Sequence, residues 1–228
     1  LISPTFFANS STGNKYSLWV NVYGVSERYL NVYGEKDLRA QMNQFFHRTY
    51  THPVDGTTLD MKMLCNWYWY DETAILETGK GTKDWNFYRY AETLLSAAEA
   101  IAQSSGVNAE AAGYLAQVKA RANMEGKDVS TIASELQRLG KQAFIEECWK
   151  ERLREFPLEM KIWDDCVRTG KFPQISATNK GEVQFVDLIG ATNGSGAKFK
   201  ETDLYWPIPV NEIQRNPNLT QNEGYSAK

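Results

Sequence analysis

The stretch FYRYAETLLSAAEAIA, residues 87–102, indicates the fold class of this chain. Its apolar residues recur at spacings of three and four: Phe87, Ala91, Leu94, Ala98 and Ile101. This spacing is typical of a helix that buries one face. Asp84 precedes the stretch as a candidate N-cap, and residues 104–106 end it. We therefore predict an amphipathic helix here that packs against further helices.

Further helices are predicted downstream. Asn108 is a candidate N-cap for a second helix, with Gly126 beyond its end. Its inward residues are Ala112, Leu115, Val118 and Ala122. The short connection predicts an antiparallel hairpin with the first helix. A third, longer helix is predicted over residues 130–156, with Gly140 as its weak point and Pro157 at its end. Its inward residues are Ile132, Leu136, Leu139, Ala143, Cys148 and Trp149. A short helix follows over residues 158–168, which Gly170 stops.

The remaining segments lack a sustained helical period. Residues 1–85 are rich in Asn, Tyr, Gly and Thr, with a short helix predicted at 35–43 and a strand at 44–50. Residues 171–203 are predicted to be irregular, with a flexible loop at 191–199. The predicted fold class is therefore mainly α. A single domain comprises a loop-rich region (1–85), a helical region (86–170), and an irregular region with a C-terminal strap (171–228).

The tail LYWPIPVNEIQRNPNLTQNEGY, residues 204–225, combines three prolines with many apolar and amide side chains. Pro207, Pro209 and Pro217 favour an extended backbone. Amides such as Asn216 and Asn222 can pair the backbone groups of an irregular segment. We predict a structural strap whose apolar side chains fill grooves on the helices, so that deletion of residues 211–228 lowers stability sharply.

Composition restricts the function. A net charge of −3 argues against binding to a nucleic-acid backbone. Two histidines leave little material for a metal site or histidine catalysis, and there is no P-loop, dinucleotide or serine-hydrolase motif. No metal, cofactor or enzymatic activity is predicted. Cys65, Cys148 and Cys166 are interpreted as small buried side chains, with one disulfide and a free thiol as the alternative.

The predicted third helix carries a row of carboxylates. They are Glu146, Glu147, Glu151, Glu155 and Glu159, and they alternate with Lys150, Arg152, Arg154 and Lys161. Paired carboxylates can hydrolyse glycosides, but this alternation favours a solvated ion-pair face. For Arg89 with Glu92 and Glu99, a partly buried structural pair is favoured.

The segment NWYWYDE, residues 66–72, is the candidate binding site. An extended chain would place Trp67 and Trp69 on one side and Tyr68 and Tyr70 on the other. Together with Asn66, these rings form a platform on which a sugar ring could stack. The alternative is that the rings belong to the core. The same two interpretations apply to a second aromatic region: Tyr16, Trp19, Tyr23, Tyr29 and Tyr33.

Several ordered blocks resemble the C-terminal part of the SusD/RagB-like family. They are residues 87–102, YLAQVKARANM (114–124), AFIEECWKERLREFPLEMKIWDDCVRTGKFP (143–173) and YWPIPVNEIQRNPNLTQN (205–222). Upstream, EKDLRAQM (35–42) resembles the family's D-x-R segment at Asp37 and Arg39. Lys161 stands where family members commonly carry Arg, which would weaken a bidentate pair there.

This resemblance implies a lipoprotein facing outward from the outer membrane of Bacteroidetes. Such proteins have paired helices like tetratricopeptide repeats, are not enzymes, and deliver captured polysaccharides or oligosaccharides to a SusC-like TonB-dependent transporter. The chain would then be part of a longer protein whose lipid anchor lies elsewhere. Structural roles are expected for Arg152, Trp163 and Asp164 as well as for Arg89, Glu92 and Glu99. A protein-interaction scaffold without its own glycan site is the alternative.

Overall fold

A computed structural model describes residues 25–226 apart from 55, 69, 75, 76, 78–80, 82 and 85. Its α-helices are α1 Tyr90–Ser105, α2 Ala109–Ala120, α3 Val129–Leu136, α4 Lys141–Glu155, α5 Lys161–Thr169 and α6 Val210–Arg215. Short 3₁₀ helices span Glu27–Val32, Leu38–Ala40 and Glu201–Leu204. The strands are β1 Phe46–Thr51, β2 Thr58–Asn66, β3 Lys171–Ile175 and β4 Val183–Asp187, and they form two two-stranded sheets. The mainly helical fold class is confirmed.

The described residues fall into two compact units. The first contains the described part of Leu1–Ile162 together with Ile175–Gln184, and the second contains Trp163–Gln174 and Phe185–Lys228. The first unit therefore holds helices α1 to α4 and the β1–β2 hairpin, while the second holds α6 and most of α5.

The main core of the first unit lies among α1, α2, α3 and α4. Its fully buried side chains include Leu95, Ala98, Leu115, Phe144 and Cys148. Burying one such Leu or Phe side chain contributes roughly 1.5–3 kcal/mol. The Asn108 side chain accepts a hydrogen bond from the Ala111 N–H at 2.9 Å, which confirms the predicted cap of α2. The predicted α1–α2 hairpin therefore forms the centre of this core.

Helix α1 begins later than predicted. Arg89, not Asp84, is its N-cap residue, and Phe87 is 75% exposed because it precedes the helix. The predicted third helix is likewise two helices, since Gly140 is extended and starts α4 anew. That restart changes the helical phase. Phe144 and Ile145 are buried in place of Ala143, which is exposed.

Residues 171–203 are more regular than predicted. They contain the β3–β4 hairpin, followed by a turn that Asn193 stabilises. The Asn193 Oδ1 accepts hydrogen bonds from the backbone N–H of Ser195 and Ala197, both at 3.0 Å. The short strands contain too few residues for a visible period-two pattern, which explains why they were missed.

The C-terminal tail is held by its own polar side chains. Gln221 pairs with both backbone groups of Ile208, accepting at 2.7 Å and donating at 2.9 Å. The Asn222 Nδ2 donates to the Trp206 carbonyl at 2.7 Å, and the Tyr225 hydroxyl lies 2.9 Å from the Tyr205 carbonyl. The tail therefore uses amides to satisfy its backbone in the predicted manner.

The filling of helix grooves by the tail stays a prediction, and the two largest rings of the tail are exposed. Tyr205 is 62% exposed and Trp206 is 86% exposed, and none of the described residues from 204 onward is buried. Pro209 is the N-cap residue of the six-residue helix α6, which had not been predicted, and Pro207 lies exposed two residues before it. Asn216 follows that helix and accepts from the Asn218 N–H at 3.1 Å, across Pro217.

The three cysteines are free and buried, which excludes the alternative of a disulfide among them. Burial raises the pKa of the Cys65 thiol to about 11. Within the described ranges, no helix has the length and apolar composition needed to cross a membrane.

Candidate functional site

The β1–β2 hairpin carries the candidate site. Its antiparallel register pairs Phe46 with Asn66 and Thr51 with Thr58, with an irregularity between His47 and Thr49. Strand β2 ends at Asn66, and the next backbone N–H, from Trp67, donates to the Phe45 carbonyl at 2.9 Å. The chain then turns, since the Tyr70 N–H donates to the Trp67 carbonyl at 3.1 Å.

This turn brings three rings into contact. The His47 and Trp67 rings stack with centroids 3.8 Å apart, and Trp67 stacks with Tyr70 at 5.4 Å. Trp67 and Tyr70 had been predicted on opposite sides of an extended chain. That prediction is wrong because the strand ends one residue before Trp67, so period-two alternation no longer applies.

A groove of about 340 Å³ lies beside the rings. Its described lining residues are Asn43, His47, Thr49, Tyr50, Thr51, Trp67 and Tyr70. This lining contains hydroxyl, amide and imidazole groups but no carboxylate, ammonium or guanidinium. The groove therefore combines ring surfaces with neutral hydrogen-bonding groups.

Two titratable side chains of the groove, His47 and Tyr70, have pKa values shifted toward their neutral forms. Burial lowers the pKa of His47, against the opposing effect of the Gln44 carbonyl 3.1 Å from its Nε2. Burial, with Tyr50 and Glu72 nearby, raises the pKa of the Tyr70 hydroxyl. Both side chains thus favour the neutral form, and the Tyr70 hydroxyl donates a hydrogen bond to Glu72 at 3.3 Å.

The other predicted platform residues lie elsewhere. Asn66 is fully buried at the end of β2 and does not belong to the described lining of the groove. Tyr68 is half-buried, with its ring 6.4 Å from the Phe45 ring. Trp69 lies outside the described residues. Sequence reasoning missed His47, Thr49 and Thr51, although their spacing of two along β1 was a usable signal.

The second aromatic region is structural where it is described. The Tyr29 hydroxyl donates to the Leu153 carbonyl at 2.7 Å, and the Tyr33 hydroxyl donates to the Arg154 carbonyl at 3.1 Å. Tyr16, Trp19 and Tyr23 lie outside the described residues.

A buried ion-pair cluster occupies the scaffold beside the hairpin. Its carboxylates are Asp37, Glu147, Glu151, Glu155 and Glu159, and its bases are Arg39, Arg89, Lys119, Arg121 and Arg154. Some of these residues line a second cleft of about 470 Å³. The predicted solvated face is wrong, since the Glu151 and Glu155 side chains are 1% and 2% exposed. Glu151 pairs with Arg154 three residues along the same helix, but the partners of Glu155 all come from other segments, which helical spacing cannot show.

Two carboxylates of the cluster, Glu147 and Glu155, have lowered pKa values. Although burial disfavours the charge on Glu147, Lys119 and Arg154 lower its pKa to about 2. Burial likewise opposes the charge on Glu155, yet Arg89 and Arg121 hold the pKa of that carboxyl below its usual value. A glycosidase needs one carboxylic acid that is protonated at working pH, and neither group meets that need.

The remaining residues expected to be structural have the following contacts. Arg89 contacts Glu155 at 2.8 Å and Glu159 at 2.7 Å. Glu92 instead pairs with Arg152 at 3.4 Å and with Lys161 at 3.1 Å.

Glu99 is buried and accepts from the Gln103 amide at 2.9 Å. The Trp163 ring lies 5.6 Å from the Phe199 ring, and Asp164 is exposed in the first turn of α5.

Paired helices with a buried ionic cluster, and a hairpin that carries an aromatic groove, define a helical scaffold with a candidate binding site. Comparison with known proteins gives the family. The chain matches the SusD family profile over residues 10–225, and it belongs to that family.

Two relatives illustrate the relationship. The starch-binding protein SusD of Bacteroides thetaiotaomicron is 36% identical over 138 residues, which cover 60% of this chain and 21% of that protein. A crystal structure of a SusD superfamily protein from Parabacteroides distasonis matches with a TM-score of 0.77 and 30% identity. That match covers 93% of this chain and 44% of the other, so the chain spans less than half of its structural relative.

Proposed function

We propose that this chain contributes to the non-enzymatic capture of a neutral polysaccharide or oligosaccharide, with the groove at His47, Trp67 and Tyr70 as the contact site. The stack of three rings beside a groove lined by uncharged hydrogen-bonding groups carries this proposal. Sugar rings present an apolar face to aromatic side chains, and their hydroxyls pair with neutral donors and acceptors. The similarity to a protein named for starch binding supports it.

The absence of charge in the described lining of the groove favours a neutral glycan over an acidic one. Uronic acids and sulfated sugars carry anionic groups, which are recognised by Arg or Lys. In the groove, Thr49, Thr51 and Asn43 offer only uncharged groups. An acidic sugar would lose hydration there without gaining an ionic partner.

Family membership extends the proposal to the cellular setting. We propose that the whole protein lies on the outer face of the outer membrane. A lipid anchor outside these residues would attach it there. There it would pass glycans to a SusC-like TonB-dependent transporter. The lowered pKa of Glu147 makes that carboxyl unsuited to be the general acid of a glycosidase.

A protein-interaction surface is a second candidate for a different part of the scaffold. Three aromatic residues at the start of α1, Phe87, Tyr88 and Tyr90, are each more than 70% exposed. Large exposed rings grouped on one surface are typical of protein contacts. This surface would bind a partner protein, while the groove would bind the glycan.

Tryptophan fluorescence during titration with neutral and acidic polysaccharides tests the proposed site. Neutral glycans should give a saturable change, and Trp67→Ala should weaken binding at least about tenfold because stacking is lost. Trp206→Ala is the matched control, since it removes an exposed tryptophan outside the groove. Unchanged affinity in Trp67→Ala, or binding of acidic glycans alone, would contradict the proposal.

A further inference from the structure

Arg39 connects three carboxylates that come from two parts of the chain. Its Nη1 lies 2.9 Å from Glu151 and 3.0 Å from Glu155 on α4. Its Nη2 lies 2.7 Å from Asp37, which also accepts from Nε at 3.0 Å. The planar guanidinium thus connects residues 37–39 with the C-terminal half of α4.

Backbone contacts hold the same segment at the end of α2. The Leu38 N–H donates to the Ala122 carbonyl at 2.8 Å, and the Met124 N–H donates to the Lys36 carbonyl at 3.0 Å. The Gln41 amide closes the segment by donating to the carbonyls of Glu35 and Asp37, both at 3.1 Å. Residues 35–41 therefore have a fixed position on the scaffold.

This segment leads directly into the groove. Asn43 lines the groove in a left-handed conformation with φ of 62°, and its N–H donates to the Phe46 carbonyl at 2.9 Å. Phe45 supplies the carbonyl that holds the Trp67 backbone, and His47 stacks on the Trp67 ring. A shift of residues 37–41 would therefore move one wall of the groove and the support of its central ring.

We propose that Arg39 is a positioning residue for the aromatic groove, acting through the segment 37–43 without touching the ligand. The proposal rests on the function proposed above for the groove. Arginine suits this role because its planar guanidinium group donates to several carboxylate oxygens in fixed directions, whereas lysine has a single ammonium group. A binding site retains its geometry only when its supporting contacts are fixed.

Hydrogen exchange at individual backbone amides tests the proposal without any ligand. The variants are Arg39→Ala and Arg39→Lys, and the reporters are the amides of Asn43 and Trp67. Arg89→Ala is the matched control, since Arg89 contacts the same Glu155 and belongs to the same cluster but binds α4 and the α4–α5 connection. Exchange from local opening reports the stability of the contact that protects each amide.

The expected result is a selective loss of protection. Arg39→Ala should speed exchange at Asn43 and Trp67 at least about tenfold, and Arg39→Lys should give an intermediate rate. Arg89→Ala should leave both amides near the wild-type rate. Equal changes in the Arg39→Ala and Arg89→Ala variants, or none at the two reporters, would overturn the proposal.

Glycan titration of the same variants distinguishes the positioning role of Arg39 from the proposed glycan-binding function of the groove. Weaker binding in Arg39→Ala, with Arg89→Ala near wild type, supports positioning. Faster exchange without any glycan binding in the wild-type chain would leave the structural link intact and reject the groove's proposed function. Wild-type affinity in Arg39→Ala, despite faster exchange, would reject Arg39 as a positioning residue.

Discussion

Glu155 shows how individual residues stabilise this scaffold. Its buried carboxylate forms ion pairs with Arg39, Arg89 and Arg121. Removing charges from water is costly, so such a cluster adds little net stability compared with an apolar core. Removing one partner is nevertheless severe, because the remaining charges stay buried without compensation.

Glu155→Gln should therefore destabilise the chain by about 3–5 kcal/mol. The free energy of unfolding from denaturant titration measures this loss. Glu125→Gln is the control, since Glu125 pairs with Lys127 at an exposed position worth about 1 kcal/mol or less. Similar losses in both variants would show that burial of the cluster has no energetic consequence.

At the scale of elements, the α1–α2 connection depends on the glycine that ends α1. Gly106 has φ of 82° and ψ of 177°, a conformation that residues with a Cβ rarely adopt. Gly113, by contrast, lies inside α2 with open space around its Cα. The backbone conformation therefore requires glycine at position 106 but not at position 113.

Gly106→Ala should lower the free energy of unfolding by about 1–3 kcal/mol because of backbone strain. Gly113→Ala should raise it by roughly 0.5–1 kcal/mol, since alanine favours a helix interior. Thermal unfolding of the two variants beside the wild type checks both signs. A stabilised Gly106→Ala variant would contradict the strained connection.

The helices were predictable where local signals were strong. The Asn108 cap and the apolar spacing of α2 located its start and its buried face correctly, but the helix ends at Ala120, earlier than Gly126 indicated. Gly140 signalled a weak point, but the sequence did not show that its extended conformation separates α3 from α4. The β3–β4 hairpin left no comparable signal in its short strands.

The candidate site was predictable only in part. The density of aromatics identified Trp67 and Tyr70, but the turn after Asn66 decided which rings meet. The partner strand supplied His47, which no local pattern connects with Trp67. The ionic partners of Glu155 are likewise distant in sequence, so helical spacing alone misplaced that face in solvent.

At the scale of the whole molecule, the cluster determines the response to acid. The pKa of Glu147 falls from 4.5 to about 2 in the folded chain, because Lys119 and Arg154 outweigh the effect of burial. The pKa of Glu155 is also lowered. A carboxylate with a lowered folded pKa stabilises the fold above its unfolded pKa and loses this contribution as the pH falls.

The melting temperature should therefore stay nearly constant from neutral pH to about pH 5 and decline as the pH falls toward 2. Glu147→Gln should start from lower stability and show a shallower acid decline. Calorimetry over this pH range measures both curves. Parallel curves for the variant and the wild type would contradict the assignment to Glu147.

The balanced charges of the cluster also bear on how this sequence can diverge. Five carboxylates and five bases form one connected cluster around the buried Glu151 and Glu155, so a lone charge change at a buried position leaves its partners poorly compensated. Substitutions at positions 39, 151 and 155 are then expected to preserve stability only when partner residues are replaced together or are jointly converted to apolar residues. An intermediate with one altered member at these positions is expected to be less stable than the wild type or a jointly replaced cluster.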